Sequence, residues 1–154
     1  MKKLLLVIVA VIGLSFAANA QNNAIGVRLG GGQGYGTELS FLQGLGASRI
    51  EADLGYYSYG GVGGFSLTGV YQRHFDIAPV PNLGWFAGLG AKANLVTGYG
   101  STAISVGVVG QAGVDYRFEA LPIQVSLDIR PCFYLYPDTF FHWGDVALGI
   151  RYTF

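Results

Sequence analysis

Hydrophobicity in this chain alternates with a period of two, and no stretch after residue 21 carries a capped apolar repeat of 3.6. Such a pattern builds strands, because successive side chains of an extended segment point to opposite faces. The end of the chain is the cleanest case. Val146, Leu148, Ile150, Tyr152 and Phe154 fall on one face, with Asp145, Ala147, Gly149, Arg151 and Thr153 on the other.

The same alternation recurs upstream. Ile123, Val125, Leu127 and Ile129 oppose Gln124, Ser126, Asp128 and Arg130. Ile104, Val106, Val108, Ala112, Val114 and Tyr116 oppose Ser105, Gln111, Asp115 and Arg117. Ile50, Ala52, Leu54 and Tyr56 oppose Arg49, Glu51, Asp53 and Gly55, and Ile25, Val27 and Leu29 oppose Gly26, Arg28 and Gly30. Segments 35–43, 64–75 and 83–95 alternate less cleanly, with Leu39 and Phe41, Leu67 and Tyr71, and Trp85 and Leu89 marking their apolar sides. Eight strands are therefore expected. The connectors between them are 30–34, 43–47, 58–63, 76–82, 97–101, 119–122 and 131–141, all supplied with Gly, Pro, Ser or Asn. Gly provides positive φ and Pro a preset φ, which is what turns require. They account for part of an unusual glycine content, 25 of 154 residues.

Residues 1–20 place Met1-Lys2-Lys3 before an apolar run and end on Ala18-Asn19-Ala20. That order is an export signal with its cleavage site, and the run is shorter than the roughly 20 residues a membrane-spanning helix needs. Residues 21–154 then form a single domain, with seven Lys or Arg against nine Asp or Glu. A chain without basic surplus has no electrostatic footprint for nucleic acid. The single cysteine, Cys132, excludes an intramolecular disulfide, a CxxC pair and a cysteine zinc site.

Period two alone does not say which face is inside. Two patterns point the apolar face outward. Aromatic residues gather at strand ends and connectors: Phe41, Tyr71, Phe75, Trp85, Phe86, Tyr116, Phe118, Tyr152 and Phe154 toward the end that holds both termini. Tyr35, Tyr56, Tyr57, Tyr59, Phe65, Tyr99, Phe133, Tyr134, Tyr136, Phe140, Phe141 and Trp143 lie toward the other. Two belts around an aliphatic band match the girdles of a membrane barrel, with Tyr71, Trp85, Tyr116, Tyr56, Phe65 and Trp143 as their expected markers. The polar face, in turn, carries Arg28, Arg49, Lys92, Arg117, Arg130 and Arg151 against Glu38, Glu51, Asp53, Asp115, Asp128 and Asp145. Six charges of each sign are able to pair inside an eight-stranded barrel, whose interior is only wide enough for side chains. A solvated outer face would be richer in Lys and Glu. Lipid, moreover, offers no partner to an open sheet edge, so strand eight must close on strand one.

The closing run Val146, Leu148, Ile150, Tyr152 and Phe154 resembles the C-terminal assembly signal of bacterial outer-membrane proteins. With the export signal and the eight strands, the chain resembles the small OmpA/OmpX-type outer-membrane β-barrels. The resemblance implies an all-β, eight-stranded antiparallel up-and-down transmembrane barrel in the outer membrane of a Gram-negative bacterium. It further implies contact with membrane lipid and lipopolysaccharide, and reading of Tyr152 and Phe154 by the barrel-assembly machinery. Its long surface loops are missing here, the longest connector being 131–141.

The expected role is structural or at the cell surface, for a monomer whose lumen is plugged by its charges, with no cofactor and no metal. Alternatives are a narrow pore or hydrophobic-ligand conduit, a lipid A-modifying enzyme, and a soluble calyx with its apolar face inward. The enzyme reading would draw on His142, Asp145, Asp138, Ser101 and Ser66, but no His-x-Ser occurs, and strand positions 142 and 145 face opposite ways. His142 and His74, beside Trp143 and Phe75, read as interfacial side chains, and Cys132 as a packed residue where strand seven meets its loop. The glycine runs lack a GxxxxGK[ST] pattern and read as loops.

Overall fold

The computed structural model describes residues 23–30, 36–98 and 100–154, less the side chains of Tyr59 and Asp145. The expected export signal at 1–20 lies outside these residues, as do Tyr35 and Tyr99. Eight strands follow in order: β1 (Asn23–Leu29), β2 (Thr37–Leu45), β3 (Ser48–Tyr59), β4 (Val62–Asp76), β5 (Leu83–Gly98), β6 (Ser101–Arg117), β7 (Ile123–Tyr136) and β8 (Phe140–Thr153). Each pairs antiparallel with its neighbour in the chain, and β1 pairs with β8, which closes the barrel. Closure joins the first strand to the last, as lipid requires of a sheet that crosses it.

The strands are tilted and staggered. A lateral row beginning at Ile25 passes Phe41, Ala52, Gly69, Ala91, Val108 and Phe133 and reaches β8 at Phe141, whereas the direct β8 partner of Ile25 is Tyr152. That offset is the shear by which tilted strands close around a small lumen.

Glycine makes the tightest turn possible. Gly60 and Gly61 both take positive φ, 59° and 82°, in the two-residue turn between β3 and β4, the hairpin geometry that matches strand twist and disfavours a Cβ. Several strands run further into the expected connectors than the sequence suggests. The largest correction concerns 131–141, which is not a loop. β7 continues to Tyr136 and β8 begins at Phe140, so only 137–139 connect them.

Pro131 misleads because it sits at a β-bulge rather than at a turn. Between the pairs Arg130–Asp145 and Cys132–His142, β8 offers two residues, Trp143 and Gly144, opposite Pro131 alone. A residue without an N–H suits a position where the ladder is interrupted. Gly144, at φ 90°, leaves the space of a Cβ to the carbonyl of Arg130. The extra residue also reverses the parity of β8. Phe141 and Trp143 are exposed at odd positions, whereas Val146, Leu148, Ile150 and Tyr152 are exposed at even ones.

The exposed face is aliphatic through its middle, and the buried face is ionic. Leu127 is 50% exposed, whereas its neighbour Asp128 is 3% exposed; the pair Ile150 and Arg151 divides in the same way. This orientation is the reverse of a soluble calyx. Of the marker aromatics, Tyr71, Trp85, Tyr56, Phe65 and Trp143 are exposed, and Tyr116 is half-buried against Phe118 in an edge-on contact. Two members of the wider belts are corrected. Phe86 and Tyr134 are buried and share parity with the interior residues Lys92 and Arg130.

Candidate functional site

The chemistry of the molecule is concentrated inside the barrel, where each strand contributes its alternate residues. Most ion pairs bridge strands that are not adjacent. Arg28 on β1 binds Asp128 on β7 through Nε and Nη2, the latter at 2.6 Å, and Glu38 on β2 at 2.8 Å. Arg130 on β7 donates to three carboxylates, Glu38 at 3.3 Å, Glu51 at 3.0 Å and Asp53 at 2.6 Å. Arg151 on β8 reaches Glu51 on β3 at 2.8 Å, and donates to Ser40 and Ser126. Arg49 on β3 pairs with Asp115 on β6.

Such bonds fill the bore. A guanidinium presents several donors in a fixed plane and binds two or three carboxylate oxygens at once, which offsets the cost of taking charge out of water. The space for these long side chains comes partly from glycine. At Gly149, a Cβ would stand 2.5 Å from Nη1 of Arg151.

Amides knit the ion pairs together. Gln72 accepts from Arg49 Nε at 2.5 Å and donates to Glu51 at 2.5 Å and to Gln111 at 2.8 Å; Gln111 donates to Asp128 at 3.1 Å. Gln124 donates to Asp115 at 2.5 Å, and His74 Nε2 lies 2.8 Å from the other oxygen of that carboxylate. His74 therefore turns into the lumen rather than toward the membrane interface, correcting the sequence expectation. Its parity with Gln72 was the available signal.

The expected charges fall into three groups. Arg28, Glu38, Arg49, Glu51, Asp53, Asp115, Asp128, Arg130 and Arg151 are buried and ion-paired. Lys92 is buried on the same inner surface and Arg117 is half-buried at the mouth near the termini, and neither makes an ion pair with a described residue. The side chain of Asp145 lies outside the described residues. In the paired set and Lys92, five positive groups face five negative ones, so among the described residues these buried charges balance.

Apolar and aromatic residues complete the interior. Arg49 lies over the ring of Phe86 at 4.3 Å, a cation–π contact. Val70, Val109, Cys132 and Tyr134 form a small buried apolar cluster. Cys132 therefore lies inside the barrel within a strand, not at a strand–loop junction. The Tyr134 hydroxyl accepts from Asn94 at 3.1 Å, and its ring stacks on Phe140.

Among the residues weighed for catalysis, those with described contacts are engaged elsewhere. Nδ1 of His142 accepts from the Gly144 N–H at 3.1 Å, Ser101 donates to the Gly98 carbonyl, and Ser66 is buried on β4. Among the described residues no hydrogen bond joins His142 to a serine or a carboxylate, and no cluster of His, Cys, Asp and Glu has the form of a metal site.

A closed barrel with an aliphatic outer face, aromatic belts and a paired ionic interior is the architecture of a small eight-stranded transmembrane β-barrel. The crystal structure of Neisserial surface protein A (NspA) has a similar fold. The TM-score is 0.61 at 16% identity, covering 87% of this chain and 95% of NspA. At that identity the likeness is one of fold. No family model and no curated protein matches the sequence.

Proposed function

We propose that this protein is an integral outer-membrane barrel of a Gram-negative envelope, exported by its N-terminal signal and serving a structural or surface role as a monomer. The single observation that carries this reading is the opposition of its two faces, lipid-compatible outside and cross-braced by ion pairs inside. β8 presents Val146, Leu148, Ile150 and Tyr152 outward and ends the barrel beside Phe154. This supports reading of that strand, and of Tyr152 and Phe154 in particular, by the assembly machinery. The exposed aromatics would sit at the level of lipid headgroups and lipopolysaccharide.

The plugged bore has a functional corollary. Arg28–Asp128, Arg130–Asp53 and Arg151–Glu51 each join strands across the lumen, and a hydrated ion passing them would have to part pairs held in a space with little water. Purified barrel in planar bilayers is expected to give no steady single-channel current. Large and stable conductance steps from the same preparation would reject the plugged reading in favour of a pore.

A further inference from the structure

We propose that the mouth of the barrel at the end holding the termini binds one oxyanion, the carboxylate or phosphate of a small solute. A cavity of about 240 Å³ opens there, lined by Ser48, Arg49, His74 and Asp115 deeper in and by Asp76 and Arg117 nearer the rim. Gly44 and Gly46 also line it, and a Cβ at Gly46 would meet nothing within 4 Å, so that wall is open.

The unspent polar groups facing this space are chiefly donors. Arg117 is half-buried and its guanidinium bonds to no described residue, while its backbone N–H to the Asn82 carbonyl at 3.0 Å holds that part of the strand in place. Arg49, which lines the cavity, commits Nε to Gln72 and Nη1 to Asp115, and its Nη2 bonds to no described residue. Ser48 accepts the Tyr71 hydroxyl at 2.8 Å, and its own proton remains to be given.

The acids do not compete. Asp115 is already engaged by Arg49, Gln124 and His74, and the side chain of Asp76, 97% exposed, lies at the edge with its Oδ1 3.9 Å from His74 Nδ1. A site with two guanidinium groups and a hydroxyl to offer, whose one deep carboxylate is already engaged, selects an anion over a cation. The flat fork of arginine suits the paired oxygens of carboxylate or phosphate better than a spherical halide.

Arginine Nε–H signals of the full barrel in non-ionic detergent provide the test, with inorganic phosphate, acetate and chloride titrated at constant ionic strength. The expected result is a saturable shift of the Arg49 and Arg117 signals with phosphate or acetate and none with chloride. Arg117→Gln should weaken the effect on Arg49 about tenfold or more, the scale of one lost charge-assisted hydrogen bond. Arg117→Lys, which keeps the charge but not the fork, should fall between the two. Arg73→Gln, at an exposed position outside the cavity lining, should leave binding unchanged. A shift that never saturates, that chloride reproduces, or that survives equally in both Arg117 variants would overturn the proposal.

Discussion

Arg130→Met is expected to destabilise the refolded barrel by about 3–5 kcal/mol, the cost of removing one partner from a buried ionic set. Arg130 is the shared cation of Glu38, Glu51 and Asp53, all about 1% exposed. Methionine fills much of the same volume, so the loss measures charge rather than a cavity. Without the guanidinium, Asp53 keeps no other arginine, Glu51 leans on Arg151, and Glu38 on Arg28. Three carboxylates then crowd a space that water reaches poorly.

The check is urea unfolding in detergent, followed by the difference in gel mobility between folded and boiled barrel. Adding Asp53→Asn to Arg130→Met should recover part of the loss, because it removes the carboxylate left most isolated. A single variant less than about 1 kcal/mol weaker than wild type would mean that the interior is hydrated and the pairs are worth little, as at a protein surface.

Leu127→Arg probes the other face. Leu127 projects outward from β7, its row neighbours are Val114 and Leu148, and the expected belts lie at either end of its strand. An arginine on the lipid-facing side near the bilayer midplane costs about 2–4 kcal/mol. The same change on a solvated strand costs close to nothing. Unfolding measured in lipid vesicles should therefore show the variant weaker by that amount, and the penalty should shrink when the arginine is placed instead at Tyr152, near the rim. Equal stability of Leu127→Arg and wild type would contradict a lipid-facing position.

Much of this architecture could be read in the sequence because a closed sheet in lipid obeys one rule, alternation, with few local exceptions. Val146 through Phe154 and Ile123 through Arg130 state it plainly, and the charged residues picked out by parity are buried inside wherever their side chains are described, except Arg117, which is half-buried at the mouth. What escaped had physical causes. Gln72, Gln111 and Gln124 carry no charge and so leave no trace in a balance of signs, yet they link the ion pairs to one another. Phe86, Tyr134 and His74 read by residue type as belt or interface residues, although their parity with Lys92, Arg130 and Gln72 puts them inside. The bulge at Pro131 and Gly144 was hidden because one extra residue switches the alternation of β8, and the proline at that point imitates a turn. The cavity at the mouth depends on which donors remain unspent after pairing, and that is decided by three-dimensional packing rather than by local pattern.

The direction in which the apolar side chains point can be measured on the unaltered protein. Methyl-labelled barrel in lipid nanodiscs should give strong cross-relaxation from acyl-chain protons to Val106, Leu127 and Ile150, and none to the enclosed Val70 and Val109. Acyl-chain contacts at Val70 and Val109, or close contacts among Val106, Leu127 and Ile150 through the bore, would contradict it.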